Sequence, residues 1–124
     1  PSCFAEAKDR LKDEIVHFGY VQSYEEYVSY LACADCVVST SLHEFFGISV
    51  IEAVRAGAWP ILPDRLSYPE LFDNEFLYEG DKLVARLEQF LNHGSSLSNA
   101  QAKNMTEKFS WRTLQPQYEK WLFD

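Results

Sequence analysis

Glu44 and Glu52 stand eight residues apart, the first in a loop and the second inside the helix expected to follow it. A carboxylate accepts two hydrogen bonds from adjacent hydroxyls, as in a sugar or a ribose diol. Between the two lies Phe45-Phe46-Gly47-Ile48, with the helix opening at about Gly47. A helix start offers unpaired backbone N–H groups and the positive end of the macrodipole, which suit a phosphate or a polarised sugar oxygen. Glycine at that point lets a ligand approach the backbone without a Cβ in the way. One extended ligand made of sugar, diphosphate and ribose would engage all of these groups. A structural reading competes: Glu44 as a carboxylate held by the helix dipole, Glu52 paired with Arg55 or Arg65.

Such a site needs elements to hold it. Residues 4–13 read as a helix, with Phe4, Ala7 and Leu11 at helical spacing. Ile15-Val16-His17-Phe18 is a short apolar run stopped by Gly19 and reads as a strand. Ser23 and Glu26 form a capping box ahead of a helix carrying Tyr24, Tyr27, Val28, Leu31 and Ala34 on one face. Cys36-Val37-Val38-Ser39 is a strand apolar on both faces, as parallel strands covered by helices are. The loop 39–47 follows, then a helix to about Arg55 closed by Gly57. Trp59–Leu62 is a third strand, which Pro60 and Pro63 keep short and near a sheet end. A helical turn spans 67–72, and Phe76–Tyr78 is a fourth strand. A helix over 81–91 turns Leu83, Val84, Leu87, Phe90 and Leu91 inward, and residues 92–99 form a polar connection. One helix ends before Phe109. Another runs from Ser110 with Trp111, Leu114, Tyr118, Trp121 and Leu122 on one face and Pro116 within it. Strands alternating with helices predict an α/β fold with a parallel sheet and right-handed crossovers.

Composition narrows the function classes. The 124 residues are 47% hydrophobic and carry a net charge of −8. That supports a packed core and excludes low-complexity classes. No block is basic enough for this chain to bind nucleic acid by itself. No apolar run is long enough to cross a membrane. Cys3, Cys33 and Cys36 lack the partners of a zinc site, and scattered cysteines at low count suit a reducing compartment, cytoplasmic or nuclear. The sequence opens at Pro1 without a leader pattern and reads as a piece of a longer protein.

The E-x7-E string Glu44–Glu52 stands with the strand Val37-Val38-Ser39, the pairs Phe46-Gly47 and Glu52-Ala53, and Gly57-x-x-Pro60. Together these resemble the retaining family-4 glycosyltransferases of the GT-B fold, over about residues 15–122. Ser39-Thr40-Ser41-Leu42-His43-Glu44-Phe45-Phe46-Gly47 and Pro63-Asp64-Arg65-Leu66-Ser67-Tyr68-Pro69-Glu70-Leu71 are similar to the branch that mannosylates queuosine in tRNA. Phe45 stands where many other relatives carry glycine.

The resemblance implies a Rossmann-like parallel sheet with flanking helices, the incomplete C-terminal half of a GT-B fold. Residues 1–124 would form a single partial domain with crossing helices over about 97–122. Glu44 would be the catalytic residue and would contact donor-sugar hydroxyls. Phe45, Phe46, Gly47 and Ile48 would complete the nucleotide-sugar site, the N–H groups of the last three meeting sugar and distal phosphate. Glu52 would hold the ribose. The donor would be GDP-mannose or another nucleotide sugar, with no cofactor and no metal. tRNA would bind through an N-terminal domain that this sequence lacks, as it lacks the first sheet strands. The fragment alone is therefore expected to be inactive and marginally stable. Rival readings are a family-4 enzyme acting on a lipid, glycan or protein, and a non-catalytic nucleotide-binding module.

Other residues carry two readings each. His43 could be a general base, or could orient the loop, the reading favoured here. Ser41 and Thr40 could meet ligand or serve the turn. Tyr68 and Glu70 could line the donor or acceptor side. His17 reads as a satisfied sheet-end residue, and the aromatic tail as packing rather than base stacking.

Overall fold

A computed structural model describes residues 2–123. In chain order it runs α1 (Ser2–Arg10), α2 (Tyr24–Cys33), β1 (Cys36–Val38), α3 (Ile48–Ala56), β2 (Trp59–Pro63), α4 (Tyr68–Leu71), a 3-10 turn (Asn74–Phe76) and β3 (Leu77–Tyr78). Then follow α5 (Leu83–His93), α6 (Asn99–Thr106), a second 3-10 turn (Glu107–Phe109) and α7 (Trp111–Phe123). The fold is α/β. Its strands are parallel in the order β1-β2-β3, with Val37 opposite Pro60 and Leu62 opposite Leu77.

The core forms where α3 lies on β2. Val50, Ile51 and Val54 pack with Leu62, Leu77, Tyr68, Phe72 and Phe76, all buried. Each such side chain contributes about 1.5–3 kcal/mol through burial. Gly57, at φ 112°, stops α3 by donating its N–H to Ala53 and Val54 carbonyls. α6 packs across α3 through buried Ala102 and Thr106. Arg55 ties the pair, its Nη1 lying 3.3 Å from Thr106 Oγ1 and 3.2 Å from Glu107 Oε2.

Several expectations need correction. Residues 15–18 are not a strand, and Val16 is 85% exposed. A strand needs a neighbour to complete its ladder, and among the described residues none lies beside this run. α1 ends at Arg10 and gives way to turns rather than continuing to residue 13. β2 is the central strand of the three, not a sheet-end strand. Pro60 is tolerated because the Trp59 N–H points to β1, bonding Asp35 O at 2.9 Å. Residue 60 therefore faces the other side, and β3 joins only at Leu62.

Only half of the expected capping box forms. Ser23 Oγ accepts the Glu26 N–H, but the Glu26 carboxylate takes the Tyr30 hydroxyl instead of returning to Ser23. The full box lies elsewhere, between Ser98 and Gln101 at the start of α6. On α5, Val84 and Leu91 are exposed rather than inward. On α7, Trp111, Tyr118, Trp121 and Leu122 are exposed too. The Trp111 and Tyr118 rings stack at 5.9 Å, and Tyr118 meets Trp121 edge-on at 6.0 Å.

Candidate functional site

The site sits at the carboxyl ends of β1 and β2, where ligands bind in open α/β sheets. Its foundation is Ser39, the buried residue that follows β1. The Ser39 N–H bonds Ile61 O at 3.1 Å, which extends the β1–β2 ladder by one step. Its carbonyl accepts the Tyr78 hydroxyl at 2.8 Å from β3. Its Oγ meets the Tyr68 hydroxyl at 2.8 Å from α4 and accepts the Ser41 N–H at 3.2 Å. One small residue thus links β1, β2, β3 and α4 and fixes where the loop begins. Burial pushes the Tyr78 phenol above its ordinary value, with Arg65 pulling the other way.

The loop 40–47 is tied down from outside by Arg65. Its Nε donates to Ser41 O at 3.1 Å and its Nη2 to Thr40 O at 3.4 Å. The loop closes on Glu44. Oε1 of that carboxylate accepts the N–H groups of Phe45, Phe46 and Gly47 at 3.1, 3.3 and 3.0 Å. A carboxylate bonded to successive amides at the start of α3 is favoured by charge and dipole together. The structural reading of Glu44 is therefore realised in the loop. It also fills two of the N–H donors, on Phe46 and Gly47, that the resemblance assigned to a ligand.

Packing alone already requires glycine at position 47. Its φ is 82°, and a Cβ there would meet Tyr68 Cε1 at 3.2 Å. The missing side chain leaves room for the Tyr68 ring. Tyr68 itself is fully buried, so in this conformation it supports Gly47 and Ser39 rather than lining a ligand surface. Glu70 is exposed on α4. His43 is exposed in the loop and Ser41 half-buried. Phe45 is 99% exposed, and Ile48 is exposed at the first turn of α3. Phe46 sets its ring edge-on to Phe109 at 5.6 Å, and Lys108 lies over the Phe109 ring.

Glu52 is exposed on α3, about one and a half turns from the loop. It pairs with neither Arg55 nor Arg65. Arg55 is taken by Glu107 and Arg65 by the loop carbonyls. Instead Glu52 Oε2 accepts the Tyr27 hydroxyl at 2.8 Å. Burial first, and the Glu52 hydrogen bond second, push the Tyr27 phenol up to about 12. Tyr27 also lines a cavity of about 440 Å³ together with residues 19–24.

Sequence reading missed four contributors. Tyr27 reads as part of an apolar helix face, and only its hydroxyl signals a polar role. Tyr78 read as a strand hydrophobe and Arg65 only as a salt-bridge partner. Ser39 read as a strand end, yet a small hydroxyl closing an apolar strand could have marked it. Among the described residues, no cluster of three or more His, Cys, Asp or Glu side chains could hold a metal. None of their helices is long and apolar enough to cross a membrane.

Comparison with known proteins supplies the family. The sequence model described as Glycosyl transferases group 1 matches residues 4–108, most of the chain and all of the site. A tRNA-queuosine alpha-mannosyltransferase of Drosophila melanogaster is 38% identical over 86 residues, 69% of this chain. The match spans 22% of that relative's length. No solved structure gives a significant match. The parallel α/β sheet, the loop that closes on Glu44 and the family match agree, and this chain belongs to the group 1 glycosyl transferases.

Proposed function

We propose that this chain is the donor-binding part of a retaining glycosyltransferase that moves mannose from GDP-mannose to queuosine in tRNA. The observation that carries the reading is the 38% identity to a tRNA-queuosine alpha-mannosyltransferase over 69% of the chain. The loop geometry supports it. Glu44 and the first turn of α3 put a carboxylate beside backbone donors, which suits a sugar next to a diphosphate.

In this reading Glu44 accepts hydrogen bonds from hydroxyls of the donor sugar. Its carboxylate swings off the loop amides, or shares them, as the donor arrives. The Phe46, Gly47 and Ile48 N–H groups then face the sugar and the distal phosphate. Glu52 receives the ribose diol, and the tyrosine-lined hollow has room for the base. Bond cleavage at the sugar C1 leaves negative charge on the diphosphate. Fixed N–H groups and the α3 dipole stabilise that charge more in the transition state than in the ground state. The acceptor oxygen bonds C1 on the face the diphosphate leaves, and its proton passes to the departing phosphate oxygen. No protein base is required for this balance.

The acceptor side lies outside the described residues, which fits a net charge of −8 on a chain that does not itself grip RNA. The test is transfer by a full-length protein carrying this segment, given queuosine-containing tRNA and GDP-mannose. Hexosyl-queuosine in the digested RNA supports the reading. Donor binding without that product moves the acceptor to a lipid, glycan or protein.

A further inference from the structure

We propose that Tyr27 is a positioning residue for Glu52: its hydroxyl holds one carboxylate oxygen and leaves the other aimed at a ligand diol. The inference rests on the reading that Glu52 receives the donor's ribose.

The two residues come from different elements, Tyr27 from α2 and Glu52 from α3, and they meet at 2.8 Å. Tyr27 is half-buried whereas Glu52 is exposed. An exposed glutamate samples many rotamers, and fixing it on binding costs conformational entropy. A hydrogen bond to an anchored phenol removes that freedom beforehand, which is preorganisation. The bond is charge-assisted, with a neutral O–H facing a carboxylate, and is stronger than a neutral pair. Only Oε2 is engaged. Among the described residues Oε1 has no hydrogen-bond donor, so it stays available to a vicinal diol.

Tyr27 is itself held. The Tyr24 ring tilts against it at 6.4 Å, and both residues line the hollow formed by residues 19–24 and Tyr27. The phenol keeps its proton far above neutral pH, so it remains a donor under all ordinary conditions. Arg55, the nearest cation on the same helix, is committed to α6 and Glu107 and does not compete for the carboxylate.

The experiment uses a full-length protein carrying this segment, with GDP as the probe. Dissociation constants are measured for the parent, Tyr27→Phe, Glu52→Ala and the double variant. The same set is then titrated with 2′,3′-dideoxy-GDP. Tyr27→Phe is expected to weaken GDP about fivefold, because a freed Glu52 side chain must then be ordered on binding at about 1 kcal/mol. The loss should fall on KM for GDP-mannose rather than on kcat, a split that a merely structural role would not produce. The effect should vanish in the Glu52→Ala background and with the dideoxy probe. If Glu52→Ala weakens GDP but Tyr27→Phe does not, Tyr27 has no positioning role and the ribose reading survives. An effect of Tyr27→Phe that persists in the Glu52→Ala background also overturns the proposal. If Glu52→Ala leaves GDP binding intact, the ribose reading itself fails and the inference with it.

Discussion

Glu44 Oε1 accepts the N–H of Gly47 at 3.0 Å, occupying a donor that an anionic ligand at the start of α3 would use. The same oxygen holds the Phe45 and Phe46 amides. The carboxylate therefore caps the loop, and in the proposed function it would also meet the donor sugar. Glu44→Gln keeps an acceptor oxygen for the amides but removes the charge. Its stability should stay within about 1 kcal/mol of the parent. Its transfer rate should fall about 100-fold or more. Turnover that survives in Glu44→Gln would confine Glu44 to capping.

Gly47 answers to the core. With φ at 82° and a Cβ position 3.2 Å from the Tyr68 ring, Gly47→Ala combines left-handed strain with a tight contact. The expected loss is about 1–3 kcal/mol. Urea unfolding checks it, and a variant within experimental error of the parent contradicts the packing described here.

Ser39, Tyr68 and Tyr78 share one network, so their variants should not add. Tyr68→Phe leaves Ser39 Oγ without that partner, at about 1 kcal/mol. Ser39→Ala removes the same bond from the other side. A double-mutant cycle should show coupling of about 0.5 kcal/mol or more. Strict additivity would mean that the Ser39–Tyr68 contact contributes nothing.

This network also shows where sequence reading stops. The α3 segment was legible because Gly47 and Gly57 bracket an apolar stripe, and both glycines carry positive φ. β1 and β2 were legible as apolar runs between helices. Residues 15–18 have the same look and form no strand, because a ladder depends on a neighbour that local pattern does not reveal. Pro60 suggested a sheet end, yet the side its missing N–H faces has no strand partner until β3 begins at Leu77. Glu44 and Glu52 were visible by spacing. Their partners, three loop amides and Tyr27, depend on how the loop folds and how α2 meets α3. Tyr68 lies 29 residues from Ser39, so no local pattern points to their contact.

The Arg55–Glu107 pair predicts a pH dependence. The Arg55 hydrogen bond holds the Glu107 carboxyl below its ordinary value of 4.5. A carboxyl depressed in the folded state stabilises above its unfolded pKa and loses that contribution as pH falls through the folded one. Glu107→Gln should therefore be less stable than the parent at neutral pH, and the gap should close in acid. Both groups are exposed, so the gap should be small and should shrink in high salt. A gap that stays constant into acid would mean that the pair does not act through charge.

Surface area bears on the isolated chain. It exposes 9475 Å². A compact monomer of its 14.4 kDa would expose about 6,800 Å². Val16, Tyr20, Trp121 and Phe123 are among the apolar side chains left in water. Residues 1–124 expressed alone should bind a hydrophobic dye and unfold with less than about 5 kcal/mol. They should transfer no sugar. Cooperative unfolding well above that value, without dye binding, would contradict this.

The most direct test of the account is one reaction. A full-length protein carrying this segment is incubated with queuosine-containing tRNA and GDP-mannose. The RNA is digested, and its nucleosides are weighed by mass spectrometry beside Glu44→Ala and Glu52→Ala reactions. The account predicts hexosyl-queuosine from the parent and little or none from either variant. Equal product from parent and variants would contradict the assignment of the site to Glu44 and Glu52.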